Sequence, residues 1–196
     1  MILTDKQFKK YSKIVCDTVD IKDGEEIAVK LLKELTESKN GIGLAAPQIG
    51  ITKNVCVINV KEPLVLINPR IVEHSEEQFM FAEGCLSFPG KHVRTGRHTS
   101  VTVEADNHEG KLKFSADSEN INDAFECACV QHEIDHLDGI TMFDRAVVAQ
   151  PYKASRKFGR NEKVTISSAI LKETKTLKWK KAQPLLESGE WEMATV

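Results

Sequence analysis

An apolar residue recurs at every fourth position from Ile27 to Leu35, and most charged residues of this segment lie off that row. Such a repeat predicts an amphipathic helix over residues 23–39 that packs through one face. Asp23 and Glu26 stand three residues apart near its start, which is the spacing of a capping pair. The first predicted element is therefore a surface helix with one buried side.

Short apolar runs after this helix predict β-strands. Residues 54–60 and 63–68 are rich in β-branched and apolar side chains, as strands usually are. Residues 101–105 alternate between apolar and polar side chains, the pattern of a strand with one buried face. Residues 111–114 are expected to pair back with that strand across a turn at 107–110.

A second helix is predicted over residues 121–137, with Asn120 or Asn122 as its N-cap. Residues 124–130 are mostly small and apolar, so this helix is expected to be buried on several sides. A buried helix among mostly antiparallel strands is an α+β arrangement. The predicted fold is thus a set of antiparallel β-sheets packed around one central helix.

The composition changes after Arg145. Residues 151–182 contain ten Lys or Arg and two acidic residues, Glu162 and Glu173. We therefore expect one catalytic domain over residues 1–150 and a basic C-terminal extension over 151–196. Short strands are expected in the extension near residues 163–166 and 175–180. The basic residues predict a solvated surface, and contact with ribosomal RNA is the alternative.

Overall composition narrows the class of protein. With 41% hydrophobic and 29% charged residues, the 196-residue chain is typical of a globular protein, and its net charge of −2 gives no general sign of nucleic-acid binding. The cysteine count is odd, at five, and the first residues lack a signal-peptide layout. These features predict a cytoplasmic, reducing location, no membrane insertion and, by default, a monomer.

One hexapeptide suggests metal chemistry. His132 and His136 are four residues apart, so on a helix they share one face and can bind one metal ion. Glu133 lies beside the first of them, where a proton carrier is needed. Cys85 lies between a glycine and a proline-containing loop and is the candidate third ligand. One thiolate and two imidazoles suit Fe(II), Zn(II), Co(II) or Ni(II).

Three separated segments resemble the motifs of the peptide deformylase family. They are residues 41–50 (GIGLAAPQIG), 83–87 (EGCLS) and 131–139 (QHEIDHLDG). Residues 66–69 (LINP) also match a strand end typical of the family. The His-Glu-x-x-His pattern alone is only moderately specific, whereas three motifs in the family's order are highly specific.

The resemblance implies a metal-dependent hydrolase that removes the N-formyl group from formylmethionine on newly synthesised polypeptides and releases formate. Cys85, His132 and His136 would be its metal ligands. Ferrous iron is the metal expected from the family, with zinc, nickel or cobalt as alternatives. N-formylmethionyl nascent peptides would be its partners, and the basic C-terminal region could contact the ribosome that produces them.

The resemblance also implies roles for further residues. Hydroxide on the metal would attack the formyl carbon, and Glu133 would carry the proton to the departing amine. The side-chain amide of Gln48 and the backbone N–H of Leu86 would stabilise the negative oxygen. Glu83 and Arg97 would form an ion pair that holds the Cys85 loop. The expected substrate-binding residues are Ile42, Gly43, Gly84, Phe88 and Cys129.

Two alternative functions remain open from the sequence. A zinc peptidase would share the His-Glu-x-x-His pattern but would need a third ligand downstream, and Asp144 is the main acidic candidate there. A degenerate, non-catalytic relative could keep the metal for structure alone. Cys85 separates the first alternative from a deformylase, because only the deformylase needs it as a ligand.

Overall fold

The computed structural model describes residues 1–116, 120–147, 157–168, 173–188 and 191–194. Within these ranges the helices are α1 (Asp5–Phe8), α2 (Ile21–Glu37), α3 (Ile121–Leu137) and α4 (Trp179–Ser188). The strands in the same ranges are β1 (Gly43–Ala45), β2 (Val55–Asn59), β3 (Pro63–Ile67), β4 (Arg70–His74), β5 (Gln78–Gly84), β6 (His92–His98), β7 (Ser100–Glu104), β8 (Leu112–Ser115), β9 (Lys163–Ser168), β10 (Glu173–Lys178) and β11 (Glu192–Met193).

The strands form small antiparallel sheets. Their orders are β1-β2-β3, β4-β7-β8, β5-β6 and β10-β9-β11. The predicted hairpin is present, since β7 pairs with β8. Helix α3 contacts strands of the first three sheets. The predicted α+β class, with antiparallel sheets around a central helix, is therefore confirmed.

The sheet of β1, β2 and β3 is buried on both faces. Along β2, Val55 and Val57 pack in the apolar cluster of α2, whereas Cys56 and Ile58 pack in the cluster that contains α3. Successive side chains of a strand point to opposite faces, so one apolar run can serve two helices. This explains why β2 is apolar along most of its length.

Helix α2 packs as the four-residue repeat predicts, because the three apolar residues of that repeat are buried. Its predicted start is wrong. The helix begins at Ile21, and the N-cap is Asp20, whose carboxylate accepts a hydrogen bond from the backbone N–H of Asp23 at 2.9 Å. Asp20 is extended and precedes the helix, whereas Asp23 already lies in the first turn and cannot cap it.

Helix α3 has the predicted bounds. Its N-cap is Asn120, whose side chain accepts from the N–H of Asn122 at 3.0 Å. Every residue from Cys127 to Leu137 is buried. The charged and polar residues of the central motif are therefore held inside the protein, where each of them needs a partner.

Strands β4, β5 and β6 were not predicted from the sequence. The β5–β6 hairpin hides its strand pattern because polar side chains occupy several of its buried positions, including Glu83, Thr95 and Arg97. An apolar alternation is the usual sequence signal of a strand, and these polar residues interrupt it. The hairpin nevertheless ends at Gly84, directly before Cys85, and so positions the cysteine.

The C-terminal part has its own apolar cluster, made of Val164, Ile166, Ala182, Leu186 and Trp191. Strands β9 and β10 lie where strands were predicted, but β10 ends at Lys178 and the chain enters α4 at Trp179. Helix α4 was not predicted. The predicted boundary between residues 150 and 151 lies outside the described residues. None of the helices described is both long and apolar enough to span a bilayer.

Candidate metal centre and peptide cleft

Three ligand side chains meet at the end of β5. Cys85 follows that strand, and His132 and His136 lie one turn apart on α3. The ligand atoms of the three residues all lie within 4.8 Å of one another, and Sγ of Cys85 is 3.3 Å from Nε2 of His136. Metal bonds of about 2.3 Å to sulfur and about 2.1 Å to nitrogen would separate these atoms by about 3.5 Å. The three donors thus fit one metal ion.

The protonation of the two histidines also fits a cation. Burial alone would lower the pKa of His132, but its hydrogen bonds to Cys85 and Glu83 outweigh burial and raise that pKa well above its usual range. Burial and the nearby His132 hold the pKa of His136 well below its usual range. A positive charge is therefore favoured among these donors, and a metal ion can replace the proton.

The orientation of His132 is set by Glu83. Nδ1 of His132 lies 2.7 Å from Oε2 of Glu83, which leaves Nε2 for the metal side. Burial raises the pKa of Glu83, but hydrogen bonds from His132 and Arg97 outweigh it and hold that pKa well below the usual range. Glu83 is therefore ionised and can accept from the imidazole.

Arg97 links Glu83 to a second buried carboxylate. Its Nε and Nη2 both donate to Glu83, the latter at 2.9 Å, and its Nη1 donates to Asp135 at 2.5 Å. The ion pair expected between Glu83 and Arg97 is thus present in the structure. Asp135 lies between the two metal-site histidines on α3, and sequence reasoning gave it no role. The charge of Asp135 could have identified it from the sequence, because a charged residue on a buried helix requires a partner.

Glu133 lies beside the candidate metal site, and one of its carboxylate oxygens accepts no hydrogen bond from the described residues. It is buried, and burial raises the pKa of its carboxyl group to about 7. Oε2 has no hydrogen-bond partner among the residues that the structure describes. A carboxyl group in this state can take up and release a proton near neutral pH.

Close approach of β1 to α3 places Glu133 at the site. A Cβ atom on Gly43 would lie 2.6 Å from Sγ of Cys129 and would also collide with Oε1 of Glu133. No larger residue fits there unless the side chains of Glu133 and Cys129, or the backbone, shift. The glycine thus lets strand β1 lie directly against the side chain of Glu133.

The amide of Gln48 is oriented from both ends. Its Oε1 accepts from the N–H of Ala45 at 2.8 Å, and its Nε2 donates to Oγ of Ser87 at 3.2 Å and lies 3.5 Å from Sγ of Cys85. Sequence reasoning missed Ser87, which is fully buried. Leu86, between the cysteine and this serine, lines the adjacent cavity and packs against the cluster of α2.

A cavity of about 460 Å³ opens beside these groups. All five expected substrate-binding residues line it: Ile42, Gly43, Gly84, Phe88 and Cys129. Gln48, Glu83, Cys85, His132 and Glu133 line it too. Phe81 and Phe125, whose rings meet edge to face at 5.2 Å, add aromatic wall that the sequence did not reveal. The cavity therefore joins apolar walls to the candidate metal ligands.

Asp144, the ligand that a zinc peptidase would need, is engaged elsewhere. Its Oδ2 accepts from the N–H and the hydroxyl of Thr141, at 2.8 and 2.7 Å, and from Nζ of Lys13 at 2.5 Å. In the described part of the chain, the trio of Cys85, His132 and His136 is the one group of three suitable ligands found. The geometry therefore favours cysteine as the third ligand.

Comparison with known proteins agrees with this site. The family model described as polypeptide deformylase matches residues 2–152. A peptide deformylase from Rhizobium meliloti is 35% identical over 176 residues, which cover 87% of this chain and 97% of the relative. A peptide deformylase from Natranaerobius thermophilus is 46% identical over 125 residues, covering 62% of this chain and 76% of the relative.

Solved structures show the same similarity. The crystal structure of peptide deformylase from Thermotoga maritima superposes with a TM-score of 0.66 at 26% identity, covering 75% of this chain and 97% of the other. The Met-Ala-Ser-bound peptide deformylase from Acinetobacter baumannii gives a TM-score of 0.62 at 26% identity, covering 74% and 96%. With the family model matched over most of its length, this chain belongs to the polypeptide deformylase family.

Proposed function

We propose that Cys85, His132 and His136 bind the metal with which this chain removes the N-formyl group from formylmethionyl nascent peptides, releasing formate. The family is metal-dependent, and the thiolate and two imidazoles suit a borderline-soft divalent ion. When bound, such a metal polarises the formyl oxygen and supplies a water molecule whose pKa is lowered to about 7. Fe(II) is the proposed metal, and Zn(II), Ni(II) and Co(II) fit the same donors.

The cavity is proposed to bind the methionine side chain. Phe88 and Cys129 form part of its wall, and a flexible thioether side chain suits such an apolar space. The backbones of Ile42 and Gly84 are proposed to pair with an extended substrate, as an added strand pairs with an exposed edge. The Met-Ala-Ser tripeptide in the Acinetobacter baumannii relative supports a peptide that begins with methionine.

Glu133 is proposed to move the proton. Its carboxylate would take a proton from the attacking water and deliver it to the nitrogen of methionine as the carbon–nitrogen bond breaks. Its position in the cavity wall and its unpartnered Oε2 support this role. The products are formate and a peptide with a free amino terminus.

Gln48 and Leu86 are proposed to stabilise the negative charge that develops on the formyl oxygen. Nε2 of Gln48 would donate from its side chain and Leu86 from its backbone N–H. One such donor typically changes the rate by about 10²–10³-fold. The fixed orientation of the Gln48 amide supports the role, because a donor that is already oriented needs no rearrangement during the reaction.

The meeting of Cys85 with two histidines of α3 carries this proposal, and Cys85→Ala tests it. The variant should lose its metal and its formate release from formyl-Met-Ala-Ser, both measured on anaerobically prepared protein. Cys16→Ala, which changes a half-buried cysteine outside the proposed ligand set, is the control and should keep both. A Cys85→Ala variant that retains its metal would contradict the proposed ligand set. Retention of the metal is the result expected of a zinc peptidase.

Two further measurements decide the remaining alternatives. Metal-loaded wild-type protein that releases no formate would indicate a degenerate relative with a structural metal. Activity that is lost in air and kept with Ni(II) would support iron, because both Fe(II) and the thiolate are oxidised in air. Equal activity of aerobic and anaerobic preparations would instead support zinc or nickel.

Residues 1–150 are proposed to be the catalytic domain and residues 151–196 a separate extension. The end of the family match at residue 152 and the separate apolar cluster of the extension support this division. The expected monomer and the cytoplasmic location stay predictions.

A more specific proposal than this division of the chain is that the extension contacts the ribosome. Salt-dependent co-sedimentation with ribosomes would test it on the full chain. Lys180→Glu with Lys181→Glu, a pair of exposed residues on α4, should lower the salt dependence, and Lys9→Glu with Lys10→Glu is the matched control. Equal binding of all three proteins would contradict the proposal and leave a solvated surface.

A further inference from the structure

A row of alternating charges leads from the protein surface to the candidate ligand His132. Arg145 donates to Asp135, Asp135 also accepts from Arg97, Arg97 donates to Glu83, and Glu83 accepts from Nδ1 of His132. The three inner charged side chains are at most 9% exposed, whereas Arg145 is 47% exposed. Arg145 is thus the outer end of a network that is otherwise inside the protein.

Arg145 is held firmly at this end. Its Nη2 lies 2.8 Å from Oδ1 of Asp135, and its Nε lies 3.2 Å from Oδ2, so the guanidinium makes a bidentate contact with the carboxylate. The following residues pair with β6, since Ala146 bridges Thr95 and the N–H of Val147 donates to a carbonyl of that strand at 2.8 Å. The chain after α3 is therefore attached to the hairpin that carries Glu83.

Among the carboxylates and guanidiniums of the network, the charges balance only when Arg145 is present. Two carboxylates, Glu83 and Asp135, face two guanidiniums, and a buried charge without a partner is strongly unfavourable. Without Arg145, both carboxylates would compete for the single guanidinium of Arg97. Any movement of Arg97 toward Asp135 weakens its two hydrogen bonds to Glu83, the residue that orients His132.

We propose that Arg145 is a positioning residue of the metal site. By satisfying Asp135 it leaves Arg97 on Glu83, and Glu83 then keeps the imidazole of His132 turned toward the metal. Groups that orient metal ligands in this way typically change metal affinity by about 10–100-fold when they are altered. This inference rests on the proposed metal site and adds a residue that lies outside the three motifs.

The test is Arg145→Ala, measured with Co(II) as the probe. We expect the Co(II) affinity to fall by about tenfold, the lower end of that range, because Arg145 acts on His132 through three intermediate residues. The visible absorption of the Co(II) protein should change as the His132 ligand is reoriented. Arg145→Lys keeps the positive charge without the bidentate hydrogen bonds and should restore the affinity only in part.

Arg70→Ala is the matched control. Arg70 also pairs with a carboxylate, Glu104, at 2.7 Å, but on the exposed surface of another sheet. Its loss should leave the Co(II) affinity and spectrum unchanged. A nonspecific effect of removing an arginine that pairs with a carboxylate would appear in both variants, whereas a positioning effect appears only when Arg145 is changed.

Coupling to Asp135 identifies the route. In an Asp135→Asn background, Arg145→Ala should have little further effect on Co(II) binding, because the two residues act in series. Wild-type affinity and spectrum in the Arg145→Ala protein would overturn the inference, and this single variant decides even if Asp135→Asn does not fold. Failure of the proposed function looks different: wild type and Cys85→Ala would then bind Co(II) equally.

Discussion

Helices α2 and α3 have the same length, 17 residues, and pack on opposite faces of the same sheet. Helix α2 presents one apolar face to that sheet and its other side to solvent. Helix α3 is buried all round from Cys127 to Leu137, although this stretch contains two histidines, two acids and a glutamine. The two helices thus occupy equivalent places, but α2 buries only apolar side chains and a glycine, whereas α3 buries polar and charged side chains as well.

The difference shows how the fold separates stability from chemistry. Apolar burial on α2 is non-directional and stabilises the fold in proportion to the area removed from water. The polar groups of α3 are costly to bury unless each is paired, and their partners come from the β5–β6 hairpin. Substitutions on α2 should therefore change stability, and those on α3 should change activity.

Glu133→Gln on α3 should give the largest effect on activity. The rate of formate release should fall by about 10²–10⁴-fold, because the amide cannot carry the proton. Metal content and melting temperature should not fall, since Oε2 of Glu133 has no partner to lose among the described residues. Glu26→Gln, on the exposed side of α2, is the control and should leave activity unchanged. Full activity of Glu133→Gln would remove the assigned role.

Leu31→Ala on α2 should have the opposite effect. Leu31 is completely buried, and its truncation should lower the free energy of unfolding by about 2–5 kcal/mol. Urea unfolding measures this loss, and the rate constant of the folded protein should stay that of wild type. Val29→Ala, at an exposed position of the same helix, should change stability by no more than about 0.5 kcal/mol. A large loss of rate in Leu31→Ala would contradict the separation.

Gly43→Ala tests the contact between the sheet and α3. The added methyl group would collide with Glu133 and Cys129, and overpacking of this kind costs about 1–3 kcal/mol. Because part of that cost displaces Glu133, kcat/KM should fall by about tenfold or more. Gly159→Ala, whose new Cβ would meet nothing closer than 3.8 Å, is the matched control. Unchanged kinetics would show that the helix moves aside without cost.

Asp144→Asn probes the turn after α3 and should have the smallest effect. Hydrogen bonds from Lys13 and Thr141 lower the pKa of Asp144 to about 2 from its usual value near 3.8. The ionised group therefore stabilises the fold above about pH 4, and this contribution is lost as the pH falls to about 2. The side chain is 42% exposed, so the contribution is about 0.2–1 kcal/mol.

The measurement for Asp144 is the unfolding free energy of metal-free protein between pH 4 and pH 2. The wild type should lose this small increment over that interval, and the variant should lack it throughout. An equally steep decline in both proteins would show that the pair with Lys13 contributes nothing.

Local patterns predicted helices α2 and α3, because a helix depends on residues that are near one another in the chain, but they did not predict the short helix α1. The apolar repeat of α2 and the bounds of α3 could be read from the chain, since a helix places residues three and four apart on one face. The cap of α2 was assigned to the wrong residue, because Asp20 and Asp23 both suit a helix start. Only the backbone conformation distinguishes them, since Asp20 is extended and Asp23 is helical. Helix α4 was missed because Lys178 and Trp179 continue a pattern that also suits a strand.

The residues of the candidate site could be predicted from the sequence motifs, but the contacts among them could not. Residues around Cys85 and His132 could be picked out because their order matches a known family. Ser87 and Arg145 were missed because their roles depend on partners 39 and ten residues away in the chain. The β5–β6 hairpin was missed because its buried charges resemble a polar surface segment.

The sequence by itself determined which candidate metal ligands were available, which helix would carry two of them, and the family to which the chain belongs. Only the tertiary structure decided that Asp144 turns away from the metal site and that Asp135 is held between two arginines. The physical reason is that a side chain's type fixes what it can bind, whereas its partners and its exposure to water are set by folding. A buried charge is the clearest case, because its free energy depends almost entirely on groups that are distant in sequence.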